Sequence, residues 1–325
     1  MWEFEFKNRE IKNVTFSGDS VLLNLGNELI CSDLKRILWK RKMYVTFYRD
    51  PYDDVNITAL DANQNYVAVG TNFMDGKVYL FTKEGKLLWM HQLATIASLG
   101  WRPEDVTALK ISDQFVIVGS EFMNEYVYAY TINRKRIFQK KVKGRVLDFF
   151  LFKDKIAVGT ENCLYIFNMQ GKENCRLEMP TKKVEVVKNK IVILNNYGII
   201  VYKFNETKNG VRVEKYWSAK LHNSNFCIAG ENILLASETL LNYISKNGEV
   251  IWQKILDSTI SSMFYDNVSD KIYVGIDNKI QVFSNTGKLI EDYKINGRPL
   301  KIGWLKEDVV VVVKEDDKVK LYKMN

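Results

Sequence analysis

Apolar and polar residues alternate along most of this chain in short runs, and the runs recur in a fixed order. An alternating stretch leads into a polar turn. A strand of three apolar residues closed by glycine follows, then a loop, an aromatic-rich strand, a Gly/Asn/Lys turn and a last strand that often holds Trp. The fullest copy comprises Ile57-Thr58-Ala59-Leu60, Tyr66-Val67-Ala68-Val69-Gly70, Lys77-Val78-Tyr79-Leu80-Phe81 and Lys86-Leu87-Leu88-Trp89. Its second strand returns as Phe115-Val116-Ile117-Val118-Gly119, Lys155-Ile156-Ala157-Val158-Gly159 and Lys271-Ile272-Tyr273-Val274-Gly275. Weaker copies centre on Val21, Ile191, Ile233 and Val309. No stretch sustains a helical period, which excludes a helical solenoid.

The repeat is roughly 40 residues long, and a four-stranded unit of that size cannot bury both of its faces alone. Stacking the units radially solves this and predicts an all-β β-propeller. The copies predict eight blades at about 11–43, 55–95, 106–143, 146–180, 183–220, 226–256, 260–296 and 299–325 with 1–8, in one domain spanning 1–325. Seven blades plus an irregular segment is the alternative, because the first and fifth copies are degenerate. The last copy is one strand short. The alternating Trp2-Glu3-Phe4-Glu5-Phe6 is expected to supply that strand, closing the ring and removing two sheet edges.

Composition narrows the class. Four prolines and 18 glycines exclude collagen and low-complexity disorder. The longest aliphatic run, Val309 to Val313, is too short to cross a bilayer. Charges at Glu3, Glu5 and Lys7 leave no apolar export signal, and Cys31, Cys163, Cys175 and Cys227 share no CxxC or CC spacing. A cytoplasmic protein with free thiols is therefore the expectation, although Cys163 and Cys175 fall on neighbouring strands where a bridge is conceivable. A net charge of +8 permits an acidic partner without demanding one.

The strand-turn-strand ending in Gly85-Lys86-Leu87-Leu88-Trp89 resembles the repeat of pyrroloquinoline-quinone-type propellers. Further copies are Gly248-Glu249-Val250-Ile251-Trp252, Gly287-Lys288-Leu289-Ile290 and a degenerate Lys35-Arg36-Ile37-Leu38-Trp39. The docking Ala and Asp of that repeat are replaced by Tyr79 and Phe81 in one copy and by Asn242 and Ile244 in another. More widely, the chain is similar to the superfamily that includes WD-repeat proteins. Quinoprotein enzymes of that superfamily are exported, bind Ca²⁺ and often carry adjacent cysteines. This sequence has no adjacent cysteines, so no cofactor is expected.

No phosphate-binding loop, HExxH or Gly-x-Ser-x-Gly occurs. The two histidines, His91 and His222, fall in different copies and predict no metal site. A non-catalytic role is expected. The loops between second and third strands are longer in the second and third copies, and both insertions present Phe-Met: Phe73-Met74 and Phe122-Met123. The connections beside them carry Phe47, Tyr48, Arg49 and Tyr52, and Trp101 and Arg102. These residues are expected to converge on one face, either as a minicore or as a surface for a protein or peptide, since such types dominate interface hot spots. The expected function is an interaction scaffold using that sector.

The alternatives are an enzyme or anion-binding module, with Arg145, Lys182 and Arg298 at a basic channel mouth, or a nucleic-acid-associated protein. The last would use Arg134-Lys135-Arg136 with Lys153, Lys155, Lys188 and Lys190 on the opposite face. The pattern does not set the oligomeric state.

Overall fold

A computed structural model describes residues 2–5, 10–44, 55–72, 74–97, 100–121, 125–207, 210–222, 224–316 and 318–324. The described residues contain strands and turns and no helix. They form eight antiparallel sheets of four strands, the blades of an eight-bladed β-propeller. Blades one to eight span 13–42, 57–92, 105–141, 146–177, 183–220, 224–255, 260–294 and 298–324. In blades one to seven the strands follow one another in simple order. The eighth is completed by Trp2–Glu5, whose Trp2 and Phe4 pair with Leu321 and Val319. The N-terminal strand thus takes the place the repeat left open.

The chain divides into two compact units. One is Glu10–Ile193 with Phe204–Val213, and it holds blades one to four. The other is Met1–Arg9, Leu194–Lys203 and Glu214–Asn325, and it holds blades six to eight.

Within each unit the core lies between successive sheets. Leu22, Cys31, Trp39, Val67 and Tyr79 form the cluster between blades one and two. Trp89, Val106, Val118, Tyr128 and Tyr130 form the next. In the other unit Tyr243, Trp252, Ile272 and Phe283 join blades six and seven, and Tyr273, Val282, Val311 and Val313 join seven and eight.

Two contacts recur and explain the repeat residue by residue. The glycine closing each second strand lies where the next blade begins. A Cβ on Gly70 would come within 2.2 Å of Val106, on Gly119 within 2.5 Å of Val146, and on Gly159 within 2.7 Å of the Thr181 backbone. The apolar-apolar-apolar-Gly motif is therefore a requirement for close sheet packing.

The second contact is a docked ring. Trp39 of blade one lies against Gly85 in the outer turn of blade two, and its indole N–H donates to the Lys83 carbonyl at 2.7 Å. Trp252 repeats this on Gly287 and the Asn285 carbonyl at 2.8 Å, and Trp217 on Gly248 and the Lys246 carbonyl at 3.2 Å. Phe138 docks on Gly171 without the polar bond. Each ring fills the gap between neighbouring blades while its N–H finds a backbone acceptor. The docking Ala and Asp of the pyrroloquinoline-quinone-type repeat are absent, yet the Trp–Gly contact stands without them.

Candidate functional site

Blades two and three differ from the others in what joins them. After the fourth strand of blade two, Ala94–Ala97 and Gly100–Pro103 pair as an additional antiparallel hairpin, the one sheet outside the blades among the described residues. Trp101 stands opposite Ile96, and Arg102 opposite Thr95. The expectation of a loop here gives way to a two-stranded ribbon that includes two of the predicted binding residues.

The ribbon is held at its base. The Leu93 N–H donates to the Gly76 carbonyl at 2.8 Å, and the Glu104 N–H to the Leu93 carbonyl at 3.0 Å. Gly76 has φ +60 and lies where a Cβ would be 2.5 Å from Pro103, so the ribbon presses directly on the 72–77 turn. That turn closes through Asp75 and Gly76 N–H groups donating to the Asn72 carbonyl. Met74 sits in it, half-buried. Phe47, Tyr48, Arg49, Tyr52, Phe73, Phe122 and Met123 lie outside the described residues.

Two buried charge networks support this base, and the sequence pattern did not point to either. In the first, Asp75 and Lys77 pair at 2.5 Å with side-chain exposures of 0% and 5%. Asp75 also accepts from the Tyr79 hydroxyl at 2.5 Å and from the Thr71 hydroxyl at 3.2 Å. Burial, with Asp75 alongside, pushes the Tyr79 phenol far above its ordinary range. A buried ion pair adds little net stability, but losing one partner strands the other charge and costs about 3–5 kcal/mol. The pair therefore fixes the loop conformation.

In the second network, buried Glu104 accepts from Ser120 and from the Tyr128 hydroxyl at 3.2 Å. The Gln139 amide N–H donates to the Tyr128 oxygen at 3.3 Å, and Arg136 donates to the Gln139 oxygen at 3.2 Å. A chain of aligned donors thus runs from an exposed guanidinium to a buried carboxylate. Burial, then Glu104, raises the Tyr128 phenol. Every oxygen in this account is bonded to protein donors, so both carboxylates serve to hold the platform.

The surrounding charge differs from the basic mouth expected of the sequence. Arg145 pairs with Glu121 at 3.3 Å. The Glu121 carboxyl is pushed up by burial, Arg145 opposes this, and Glu161, Asp105 and Glu125 add to it. Arg145 therefore has a counterion in Glu121, and its charge is already offset. Lys182 and Arg298 are exposed, in blades' incoming segments of different compact units. On the opposite face Lys153 and Lys155 share Glu206 at 3.0 and 3.5 Å, and Lys155 also meets Asp154 at 2.7 Å. The nucleic-acid stripe is thus interrupted by its own counterions.

The four cysteines are free thiols. Cys175 pairs across the sheet with Ile166, while Cys163 precedes Leu164, which pairs with Leu177; the two are out of register for a bridge. His91 packs on Tyr130 and His222 on Tyr197. Among the described residues no group of three His, Cys, Asp or Glu converges as a metal site. No helix is long and apolar enough to cross a membrane.

No protein-family model matches the sequence, and no curated protein matches it. Similarity lies in three dimensions. The computationally designed protein Ika8 superposes with a TM-score of 0.74 at 15% identity, covering 99% of this chain and 98% of that one. BamB from Moraxella catarrhalis gives 0.69 at 13% identity, with 100% and 97% coverage. The C-terminal WD40 domain of Sif2 gives 0.70 at 12% identity, with 100% and 99% coverage. At these identities the likeness establishes the propeller architecture.

Proposed function

We propose that this protein is a non-catalytic, cytoplasmic interaction scaffold that binds a protein or peptide through the sector over blades two and three. The observation that carries the reading is the pairing of Ala94–Ala97 with Gly100–Pro103, which brings Trp101 and Arg102 into a hairpin above a base held by two buried charge networks. Trp and Arg are the residue types that most often anchor interfaces, and a rigid mount lowers the entropy cost of binding. The WD40 domain among the similar structures is consistent with such a role.

Affinity capture from the native host tests this, using wild type, Trp101→Asp/Arg102→Asp and a control Ile255→Asp in blade six. A partner kept by wild type and control, and lost by the folded ribbon variant, supports the reading. Equal recovery by all three, or none by wild type, overturns it.

A further inference from the structure

The outer turns of five blades share one hydrogen-bond pattern. In blades two, four, six and seven its third loop position is Gly85, Gly171, Gly248 and Gly287, with φ between +79 and +94. In blade three that position is Arg134 at φ +70. A side chain in the left-handed region costs about 1–2 kcal/mol where glycine costs little. The ring docked here is Trp89, whose indole N–H still donates to the Ile132 carbonyl at 2.6 Å. Packing therefore gives no reason for an arginine.

Three neighbours supply one. Arg136 lies opposite Tyr130 in the same sheet, and His91 of blade two packs on Tyr130 with ring centroids 5.2 Å apart. Among the described residues neither Arg134 nor Arg136 takes part in an ion pair. The Tyr130 hydroxyl is fully buried and has no hydrogen-bond partner. An orphaned buried hydroxyl costs about 1–3 kcal/mol, so a native one calls for an acceptor. The nearest carboxylate acting on it, Glu104, is already engaged by Ser120 and Tyr128.

We propose that Arg134, Arg136, His91 and the Tyr130 hydroxyl form a phosphate-binding site on the outer flank of blades two and three. Two guanidiniums supply charged donors, the phenol and one imidazole nitrogen can each donate one more, and together they complement a phosphate dianion. The site shares Arg136 with the network beneath the ribbon, through Gln139, but does not depend on the scaffold reading. The field agrees: burial and then Arg134 and Arg136 hold His91 below its ordinary range, with no carboxylate opposing them.

With two histidines in the chain, proton NMR of the imidazoles reads the site directly, and His222→Gln assigns the signals. Inorganic phosphate and N-acetylphosphoserine amide are titrated separately, each against chloride at equal ionic strength to remove simple screening. Phosphate bound beside His91 stabilises its cation and is expected to raise its midpoint by about 0.5–1 pH unit. The compound that saturates at lower concentration tells whether the phosphate is free or carried on a peptide. Arg134→Gly relieves the left-handed strain, so it should unfold no earlier than wild type yet lose the response; Arg136→Gln should lose it too. No movement beyond chloride with either compound, or the same movement in both variants, overturns the site.

Discussion

The junction between blades one and two and the junction between blades four and five solve the same problem in opposite ways. At the first, Trp39 docks on Gly85, and nothing in the contact titrates. At the second, Cys175 occupies the position of the Trp: it pairs with Ile166 immediately before the register shift, as Trp39 pairs with Cys31 and Trp89 with Leu80. The outer strand Glu173–Leu177 has no aromatic ring to dock on blade five. Instead the blade-five strands Gly198–Thr207 and Gly210–Lys220 run on, and their far end returns to blade four. Phe204 meets Phe152 edge-on at 5.6 Å, Glu206 meets Lys153 and Lys155, and Gly210 lies against the Asn174 carbonyl. Deeper in, Asp148 of blade four accepts from the Val184 N–H of blade five at 2.9 Å. The wedge contact itself is indifferent to pH, whereas the contacts made by Asp148 and Glu206 are not.

The sharpest way to break this contrast is at the wedge. Gly85→Ala places a Cβ within 2.6 Å of the Trp39 ring at φ +80 and should cost about 3 kcal/mol or more in urea unfolding. Gly230→Ala is the control, since a Cβ there meets nothing within 4 Å; at φ +64 it should cost only about 1 kcal/mol. Equal losses would show that turn strain alone, and not the docked ring, holds the junction.

The second effect belongs to Asp148, whose carboxyl is pushed up to about 6, chiefly by burial. A raised folded value means its contribution is fully present below about pH 4 and is lost as pH rises through 6. Asp148→Asn should therefore match wild type at pH 4 and exceed it by about 2 kcal/mol at pH 7.5. A constant offset across that range would remove Asp148 as the source.

Smaller still is the indole bond. Trp252→Phe forfeits the donation to Asn285 and keeps the ring, as Phe138 does naturally, so it should cost about 1 kcal/mol. Least is Glu206→Gln. Hydrogen bonding to Lys153, with Lys155 beside it, holds the Glu206 carboxyl below its usual range. Its contribution is present above the ordinary carboxylate range and fades as pH falls through the lowered value. The variant should match wild type at low pH and be slightly less stable at pH 8, which flattens the acid limb of the stability curve.

Architecture was legible because period and packing impose the same residues. Gly70, Gly119 and Gly159 mark where each next blade enters, and the Trp positions mark the wedges. The platform was less legible. Trp101 and Arg102 stand out by residue type, but the 94–103 connection carries no turn signal that distinguishes a ribbon from a loop. Asp75-Gly76-Lys77 reads like any solvated turn; only folding shows that Pro103 and Glu104 close over it. Arg145 looked available because its counterion, Glu121, belongs to the preceding blade. Sequence shows which charges exist, but their partners are set by contacts distant in the chain.

Pairing of Trp2–Glu5 with the final strand has a consequence in time. A ribosome makes Trp2–Glu5 long before its partner Lys318–Met324, so these few residues must stay unclaimed while the sheets between them are assembled. The closing step joins the most distant parts of the chain and carries the largest loop-closure cost, which makes it the natural slow event of folding. Until then the nascent protein presents two mutually complementary open edges, and a neighbouring chain at the same stage offers the same pair.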